Sequence, residues 1–264
     1  MKFQEKASLL ILNFLWMLTP PLMAQQMHLF STIYYPSKPY GGLEELEVLV
    51  KQETVYPEKL LEAGIDGEAF ITFIIDHKGN VQFKHIEDQG DPLFKKEASR
   101  IFDHILWEKD QNRNVSGLGY EKLKIAFNAK KYKKLVKKRG YGHSPLTLSD
   151  STNSGKYYTI NQVDQQPFIN EETSINAFIR KHIKYPTIAY NQGISGRVTV
   201  EFIIEPYGKL SNFRIVESLA GGCDDETKRL MRMIEWTPGK IEGRPVRTLY
   251  RYQLNFVHPG GTVR

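Results

Sequence analysis

The sequence contains little cysteine, and its histidines form no ligand or catalytic pattern. Cys223 is the only cysteine among 264 residues, which excludes an internal disulfide framework and a cysteine-rich metal site. The seven histidines include no His-Glu-x-x-His pair, and no Gly-x-Ser-x-Gly element occurs. The sequence therefore predicts no catalytic residue, no cofactor and no metal. We interpret Cys223 as apolar filling, and its alternative role in a cysteine-dependent enzyme would be tested by Cys223→Ala.

The net positive charge of the chain is concentrated in one segment. The chain has a net charge of +6, and the run Lys130–Arg139 carries six lysines, one arginine and no acid. The rest of the chain is therefore close to neutral, so its basic character does not indicate a nucleic-acid partner. We interpret the run as a solvated helix extension or linker, with contact to an anionic membrane surface as its alternative role.

The chain also lacks an apolar run of membrane-spanning length. Residues 1–24 combine two early lysines with an apolar stretch from Ala7 to Leu18 and a small residue, Ala24. Pro20-Pro21 ends this stretch before the roughly 20 apolar residues that a spanning helix needs. We predict a cleaved signal peptide over residues 1–24 and export of the mature chain. An uncleaved inner-membrane anchor is the alternative, and residues 25–38 form a lead-in.

The dominant feature of the sequence is an internal repeat. Tyr56-Pro57 and Tyr185-Pro186 lie 129 positions apart. The same separation relates three glycines, one phenylalanine and one tryptophan: Gly64, Gly67, Phe73, Gly79 and Trp107 with Gly193, Gly196, Phe202, Gly208 and Trp236. Matches at a fixed offset indicate duplication of one structural unit. We predict two domains, over residues 39–128 and 160–258, joined by a basic and polar linker over 129–159 and followed by a tail over 259–264.

Both copies show the same order of secondary-structure signals. A helical pattern ends at Tyr-Pro, a short helix ends at a glycine, and an alternating strand such as Arg197–Glu205 follows. A glycine turn, a second strand, a helix that ends near Trp107 or Trp236, and a last strand complete each copy. The order predicts an α+β fold with two tandem small domains, each a short antiparallel sheet with helices packed on it. Both tryptophans are predicted to lie in the cores.

The second copy resembles the C-terminal domain of TonB-type energy transducers. The resemblance spans about residues 160–258 and rests on motifs that recur in order: Tyr185-Pro186, Gly193, Gly196, Gly208, Glu226, Arg229, Trp236-Thr-Pro238-Gly239, Gly243-Arg-Pro245-Val246 and Leu254-Asn-Phe256. The first copy is similar but degraded, because it has Trp107-Glu-Lys-Asp in place of the Trp-x-Pro-Gly element.

The resemblance implies a location and a mode of binding. Domains of this family lie in the periplasm of Gram-negative bacteria and grip an extended segment of an outer-membrane transporter, which adds a strand to the sheet edge. It places the Tyr-Pro segments near the bound peptide, although Tyr185 fits a packed ring at a helix break equally well. The predicted protein-binding residues are Tyr185, Pro186, Leu249, Arg251, Gln253, Asn255, Tyr56 and Pro57.

Two features of the chain differ from an energy transducer and leave a second function open. A transducer retains its N-terminal helix and has a proline-rich spacer, whereas the 13 prolines here are dispersed. One hypothesis is a transducer or accessory of TonB-dependent transport. The other is a periplasmic or envelope scaffold without energy coupling. The first copy could bind as well or could only hide one sheet edge of the second, and a homodimer remains open.

Overall fold

The computed structural model describes residues 37–109, 120–141, 155–169, 174–258 and 260. The fold is α+β with small antiparallel sheets and packed helices, which confirms the predicted fold class. The proposed signal peptide and nearly all of the lead-in and the tail lie outside the described residues. Within the described ranges, no helix is long and apolar enough to cross a membrane.

The first domain is a three-stranded antiparallel sheet with helices packed on it. Its strand order is β2-β1-β3. The elements are α1 (Gly42–Glu53), α2 (Glu58–Glu62), β1 (Gly67–Ile75), β2 (Val81–Ile86), α3 (Pro92–Asp103), β3 (Glu121–Phe127) and α4 (Ala129–Arg139).

The second domain repeats this arrangement and adds short strands. Its main sheet has the order β4-β11-β6-β7, in which only β4 runs parallel to its neighbour. The elements are β4 (Tyr158–Thr159), β5 (Phe168–Ile169), α5 (Ile175–His182), α6 (Thr187–Asn191), β6 (Gly196–Ile204), β7 (Leu210–Glu217), α7 (Cys223–Met233), β8 (Trp236–Thr237), β9 (Lys240–Ile241), β10 (Arg244–Pro245) and β11 (Thr248–Phe256).

Alternation along the central strands explains how each sheet buries one face. In β1, Ala69, Ile71, Phe73 and Ile75 are buried and the residues between them are more exposed. In β6 both faces are largely buried from Val198 onward. Trp107 and Trp236 are only 3% and 4% exposed, as predicted for core residues.

Equivalent turns recur where glycines match in the sequence. Gly79 and Gly208 have φ of 84° and 78°, and a Cβ atom at either glycine would clash with the carbonyl oxygen of Trp107 or Trp236. Residues other than glycine are therefore disfavoured at both positions, because the backbone conformation and the lack of space each oppose a side chain. The matched glycines and tryptophans thus mark one contact that occurs in both domains.

A matched glutamate and arginine hold the end of the first helix in each domain. Glu97 accepts a hydrogen bond from the Val55 amide at 2.7 Å, and Arg100 pairs with Glu97 and donates to the carbonyl oxygen of Glu53. The second domain makes the same contacts with Glu226, Lys184, Arg229 and His182. The two pairs satisfy backbone groups exposed where the chain leaves the helix and enters the Tyr-Pro segment.

Helix α4 is part of the first domain rather than a free connection. Asn128 caps the helix through its side chain, and Gly140 ends it with φ of 82°. Ala129 and Tyr132 are buried in the first core, and the six lysines of the helix point into solvent. The packed unit therefore extends beyond residue 128, to the end of α4.

Candidate protein-binding site

The outer edge of β11 is open over most of its length. β11 pairs along its whole length with β6, from Thr248 opposite Ile204 to Phe256 opposite Gly196. On its other side the two residues of β4 pair with Thr248 and Leu249 alone. From residue 250 to 256, no other strand of the described chain lies against this edge.

Alternate residues of β11 direct their backbone hydrogen-bonding groups to the open side. The Tyr158 amide of β4 donates to the carbonyl oxygen of Arg247 at 3.0 Å, so residue 247 faces outward. Backbone groups point to opposite sides of a strand at successive residues, and the pairing with β6 has no register shift. The amide and carbonyl groups of Arg251, Gln253 and Asn255 therefore face the open edge, where an added strand can satisfy them.

The side chains of the same three residues are exposed on the outer face of the sheet. Arg251 lies 3.5 Å from Glu201 in an ion pair, while Gln253 and Asn255 are open to solvent. Leu254 and Phe256 point to the core. The structure thus brings three of the predicted binding residues together on one edge. Leu249 is paired with Thr159 of β4 and therefore lies outside the open stretch.

The opposite edge of this sheet, β7, is covered by the first domain. Gly41, at the start of α1, lies so close to the carbonyl oxygen of Phe213 that a Cβ atom would clash with it. The guanidinium of Arg214 lies 4.0 Å from the centre of the Tyr40 ring and 2.6 Å from Glu108. The first domain therefore occupies the surface that a second added strand would need.

Asn212 supplies the contact that a neighbouring strand would otherwise make. Its side-chain oxygen accepts from the Leu106 amide at 2.7 Å, and its side-chain nitrogen donates to the carbonyl oxygen of His104 at 3.1 Å. Asn212 has φ of 50°, a conformation that asparagine tolerates better than most residues. A side-chain amide presents an N–H donor and a carbonyl acceptor close together, as a peptide group does, so Asn212 can satisfy the facing backbone of the first domain.

A buried polar network joins the two domains beside Asn212. Arg247 pairs with Glu205 at 3.0 Å and donates to the carbonyl oxygen of His104 at 3.0 Å. The hydroxyl of Tyr207 donates to Glu53 across the interface. These side chains come from both domains, and the two carboxylates and the guanidinium are almost fully buried. Charges buried this deeply are stable only while they remain paired.

The network also controls the protonation of its members. Burial opposes ionisation of Glu53, but His104, Arg100 and the hydrogen bond from Tyr207 together lower its pKa below the usual value. Burial lowers the pKa of His104, and the nearby Arg247 lowers it further. Burial, with Glu53 and Glu205 close by, raises the pKa of Tyr207 well above the usual value. Tyr207 therefore remains a neutral donor.

The two predicted tyrosines occupy different environments. Tyr56 is 1% exposed, its ring packs against Tyr132 of α4 with centroids 5.2 Å apart, and burial raises its pKa to about 12. Its hydroxyl donates to the carbonyl oxygen of Ile65. Pro57 is the N-cap residue of α2. The structure therefore places Tyr56 inside the first core, where a partner cannot reach it.

Tyr185 is half-buried next to the end of the open edge. Its hydroxyl donates to the carbonyl oxygen of Ile194, the same contact that Tyr56 makes. Its ring lies 5.8 Å from that of Phe256, 6.1 Å from that of His258 and 6.4 Å from that of Tyr190. Pro186 follows at the start of α6. The Tyr-Pro segment of the second domain is thus adjacent to the last residue of β11.

Sequence reasoning did not identify Tyr190 and His258 as members of this aromatic cluster. Their rings lie 5.0 Å apart, and a ring nitrogen of His258 is 3.0 Å from the carbonyl oxygen of Tyr190. The repeat offered a signal for Tyr190, because an exposed aromatic residue replaces Leu61 at this position. His258 lies just after the last strand, where periodicity carries no information.

The remaining candidate chemistry does not form a site in the described residues. Cys223 is fully buried at the start of α7, and burial, together with Asp224, raises the pKa of its thiol. A thiol that is buried and protonated is a poor nucleophile. No group of three or more potential metal ligands occurs in the part of the chain that the structure describes.

Comparison with known proteins finds a family model and solved structures that are similar to part of this chain. Residues 181–257 match the family described as Gram-negative bacterial TonB protein C-terminal. The solution NMR structure of the Pseudomonas aeruginosa TonB CTD aligns with 23% sequence identity and a TM-score of 0.30, covering 40% of this chain and 97% of that one. No curated protein matches the chain. Residues 181–257, which run from within α5 to the residue after β11, are therefore similar to the TonB C-terminal family.

Proposed function

We propose that this protein is a periplasmic, non-catalytic interaction module that binds an extended segment of an outer-membrane transporter by strand addition. The incoming segment pairs with β11 from residue 250 to 256. The observation that carries the proposal is the row of outward-facing backbone groups at Arg251, Gln253 and Asn255. The family match supports the choice of a periplasmic partner.

The arrangement of the two domains supports a single binding edge. A four-stranded sheet ordinarily offers two edges, and here the first domain covers β7 through Gly41, Asn212 and Arg214. In the part of the chain that the structure describes, no such cover lies on the edge of β11 from residue 250 to 256. The partner gains backbone hydrogen bonds along the edge and side-chain contacts at alternate positions. The first domain therefore restricts binding to one side of the sheet.

The structure of β11 suggests a substitution that separates backbone pairing from side-chain contact. Proline at position 253 removes an amide that faces the open edge, and it leaves the hydrogen bonds to β6 intact. Gln253→Ala removes the same side chain and keeps the amide. Strand addition requires the amide, so Gln253→Pro should abolish binding and Gln253→Ala should preserve it.

The test is affinity capture of the purified protein with outer-membrane extract, followed by identification of the bound proteins. Recovery of a transporter by the unchanged protein and by Gln253→Ala, and its loss with Gln253→Pro, is the expected result. Thermal unfolding of all three proteins verifies that the fold is retained. Capture of a transporter that is indifferent to the proline would contradict strand addition. Capture of other envelope proteins alone would favour a scaffold without a role in transport.

A further inference from the structure

The second domain exposes a surface that α4 covers in the first domain. In the first domain, Tyr132 packs on the ring of Tyr56. Arg139, at the end of α4, donates to the carbonyl oxygens of Lys51 and Gln52 at 2.7 and 3.1 Å. The helix thereby spans the end of α1 and the Tyr-Pro segment. We call the equivalent region of the second domain, formed by the end of α5 and by α6, the α6 surface.

Equivalent positions are more exposed on the α6 surface than beneath α4. The first-domain residues at these positions are buried or half-buried, and their counterparts are half-buried or exposed. The pairs are Lys51 and Arg180, Gln52 and Lys181, Val55 and Lys184, Tyr56 and Tyr185, and Leu61 and Tyr190. The framework is therefore shared, and among the described residues a covering helix lies over these positions in the first domain alone.

The α6 surface presents large apolar side chains to solvent. Ile188 is 60% exposed and Tyr190 is 52% exposed. Tyr185 lies beside Tyr190, and the ring of Phe256 lies behind it. Apolar side chains grouped in this way at a rim of polar residues are typical of an interaction site.

The charge of the surface differs between the domains and indicates a different occupant. In the first domain, which has the lysine-rich α4, α2 and the residues after it carry three acidic residues: Glu58, Glu62 and Asp66. The equivalent positions in the second domain hold uncharged residues: Thr187, Asn191 and Ser195. The end of α5 and the residues after it add exposed basic side chains: Arg180, Lys181 and Lys184. A basic helix like α4 would be repelled here, whereas an acidic helix would be attracted.

We propose that the α6 surface binds an amphipathic helix of a protein partner. The helix places an aromatic residue against Tyr185 and Tyr190, as α4 places Tyr132 against Tyr56. Its polar face is acidic and lies over Arg180 and Lys184. This contact goes beyond strand addition at β11, and the two surfaces are adjacent because the ring of Tyr185 lies 5.8 Å from that of Phe256, the last residue of β11. A partner can therefore engage the edge with an extended segment and the α6 surface with a helix.

Helix α4 itself supplies the probe for this proposal. The probe is a synthetic peptide of residues 128–141 in which all six lysines are replaced by glutamate and a lactam bridge on the outer face fixes the helix. A second peptide keeps the lysines, and a third combines the glutamates with Tyr132→Ala. Binding of each peptide to the full chain is measured by two-dimensional NMR.

The acidic peptide should shift the signals of Tyr185, Tyr190 and His258 and bind more tightly than the lysine peptide. The peptide with Tyr132→Ala should not bind. In the protein, Tyr190→Ala should weaken binding of the acidic peptide by about tenfold, because it removes an exposed aromatic contact. Val216→Ala, at an exposed apolar residue of β7, is the matched control and should leave binding unchanged.

The charge requirement has its own pair of variants. Lys184→Glu should weaken binding of the acidic peptide and strengthen binding of the lysine peptide. Lys209→Glu, at an exposed residue just before β7, should change neither. Absence of binding by the acidic peptide, or equal binding to Tyr190→Ala, would overturn the proposal. Gln253→Pro should bind the peptide normally, so failure of strand addition and failure of the helix site give different results.

Discussion

The two domains of this protein share one framework and differ in what covers it. Tyr56 and Tyr185 follow the first helix of their domains and donate to an equivalent carbonyl oxygen, yet Tyr56 is buried and Tyr185 is half-buried. Helix α4 accounts for this difference. In the first domain, α4 covers the surface beside the Tyr-Pro segment. In the second domain, no helix or strand of the described residues covers that surface or the nearby end of β11.

The comparison indicates a division of roles between the domains. The first domain contributes a surface that covers β7, and the contacts through Asn212 and Arg247 bind it there. The second domain keeps β11 open. One copy of the repeat thus covers β7, and the other copy, on which the family match falls over residues 181–257, keeps an open edge at β11 in the described residues.

The largest expected effect on stability comes from substitution of the two equivalent tyrosines. Tyr56→Ala should cost about 3–5 kcal/mol of unfolding free energy, because it empties a buried site among Phe94, Phe127 and Tyr132. Tyr185→Ala should cost roughly half as much or less, because the ring is already partly in solvent. Urea unfolding of both variants measures the difference. Equal losses would show that α4 does not distinguish the two sites.

A second prediction concerns the buried polar network at the interface between the domains. Arg247→Ala leaves Glu205 buried without its partner and should cost about 3 kcal/mol. Arg251→Ala removes an exposed partner of Glu201 and should cost less than about 1 kcal/mol. Arg247 directly precedes β11 and Arg251 lies within it, so the two arginines form a matched pair. Similar losses of unfolding free energy would contradict a buried network that joins the domains.

Sequence reasoning predicted each domain well because its signals are local. Alternation in β1 and β6, the glycine turns and the tryptophans act within one copy, and the structure has them as expected. The cover over β7 depends on Asn212 and Gly41, which lie far apart in the chain and resemble ordinary loop residues. No local pattern indicates that they meet.

The role of α4 was obscured by its composition. Its lysines suggested a solvated segment or linker, and that is correct for the outer face. The spacing of Ala129, Tyr132, Leu135 and Val136 places apolar residues on one side of a helix, and this weaker signal identifies the packed face. The exclusion of Tyr56 from any binding surface follows from this packing, so it required the structure.

A smaller effect is expected from acid. His104 has a lowered pKa in the folded protein, so the unfolded chain binds more protons as the pH falls below about 6.5. Stability should therefore decrease below that pH and decrease further through the pH range near 4.5, where Glu53 of the unfolded chain becomes protonated. Urea unfolding at a series of pH values should show a weaker decrease between pH 7 and 5 for His104→Asn. The exposed His85→Asn is the control, and an unchanged pH profile in His104→Asn would contradict the assignment.

The most direct test of an open β11 edge and a covered β7 edge is amide hydrogen exchange measured residue by residue. In the free protein, the outward-facing amides of Arg251, Gln253 and Asn255 should exchange at least about tenfold faster than those of Tyr252 and Leu254, which face β6. A captured transporter segment should slow the three outward amides and leave those of β7 unchanged. Slow exchange at Gln253 in the free protein, or new protection along β7 in the complex, would contradict the account.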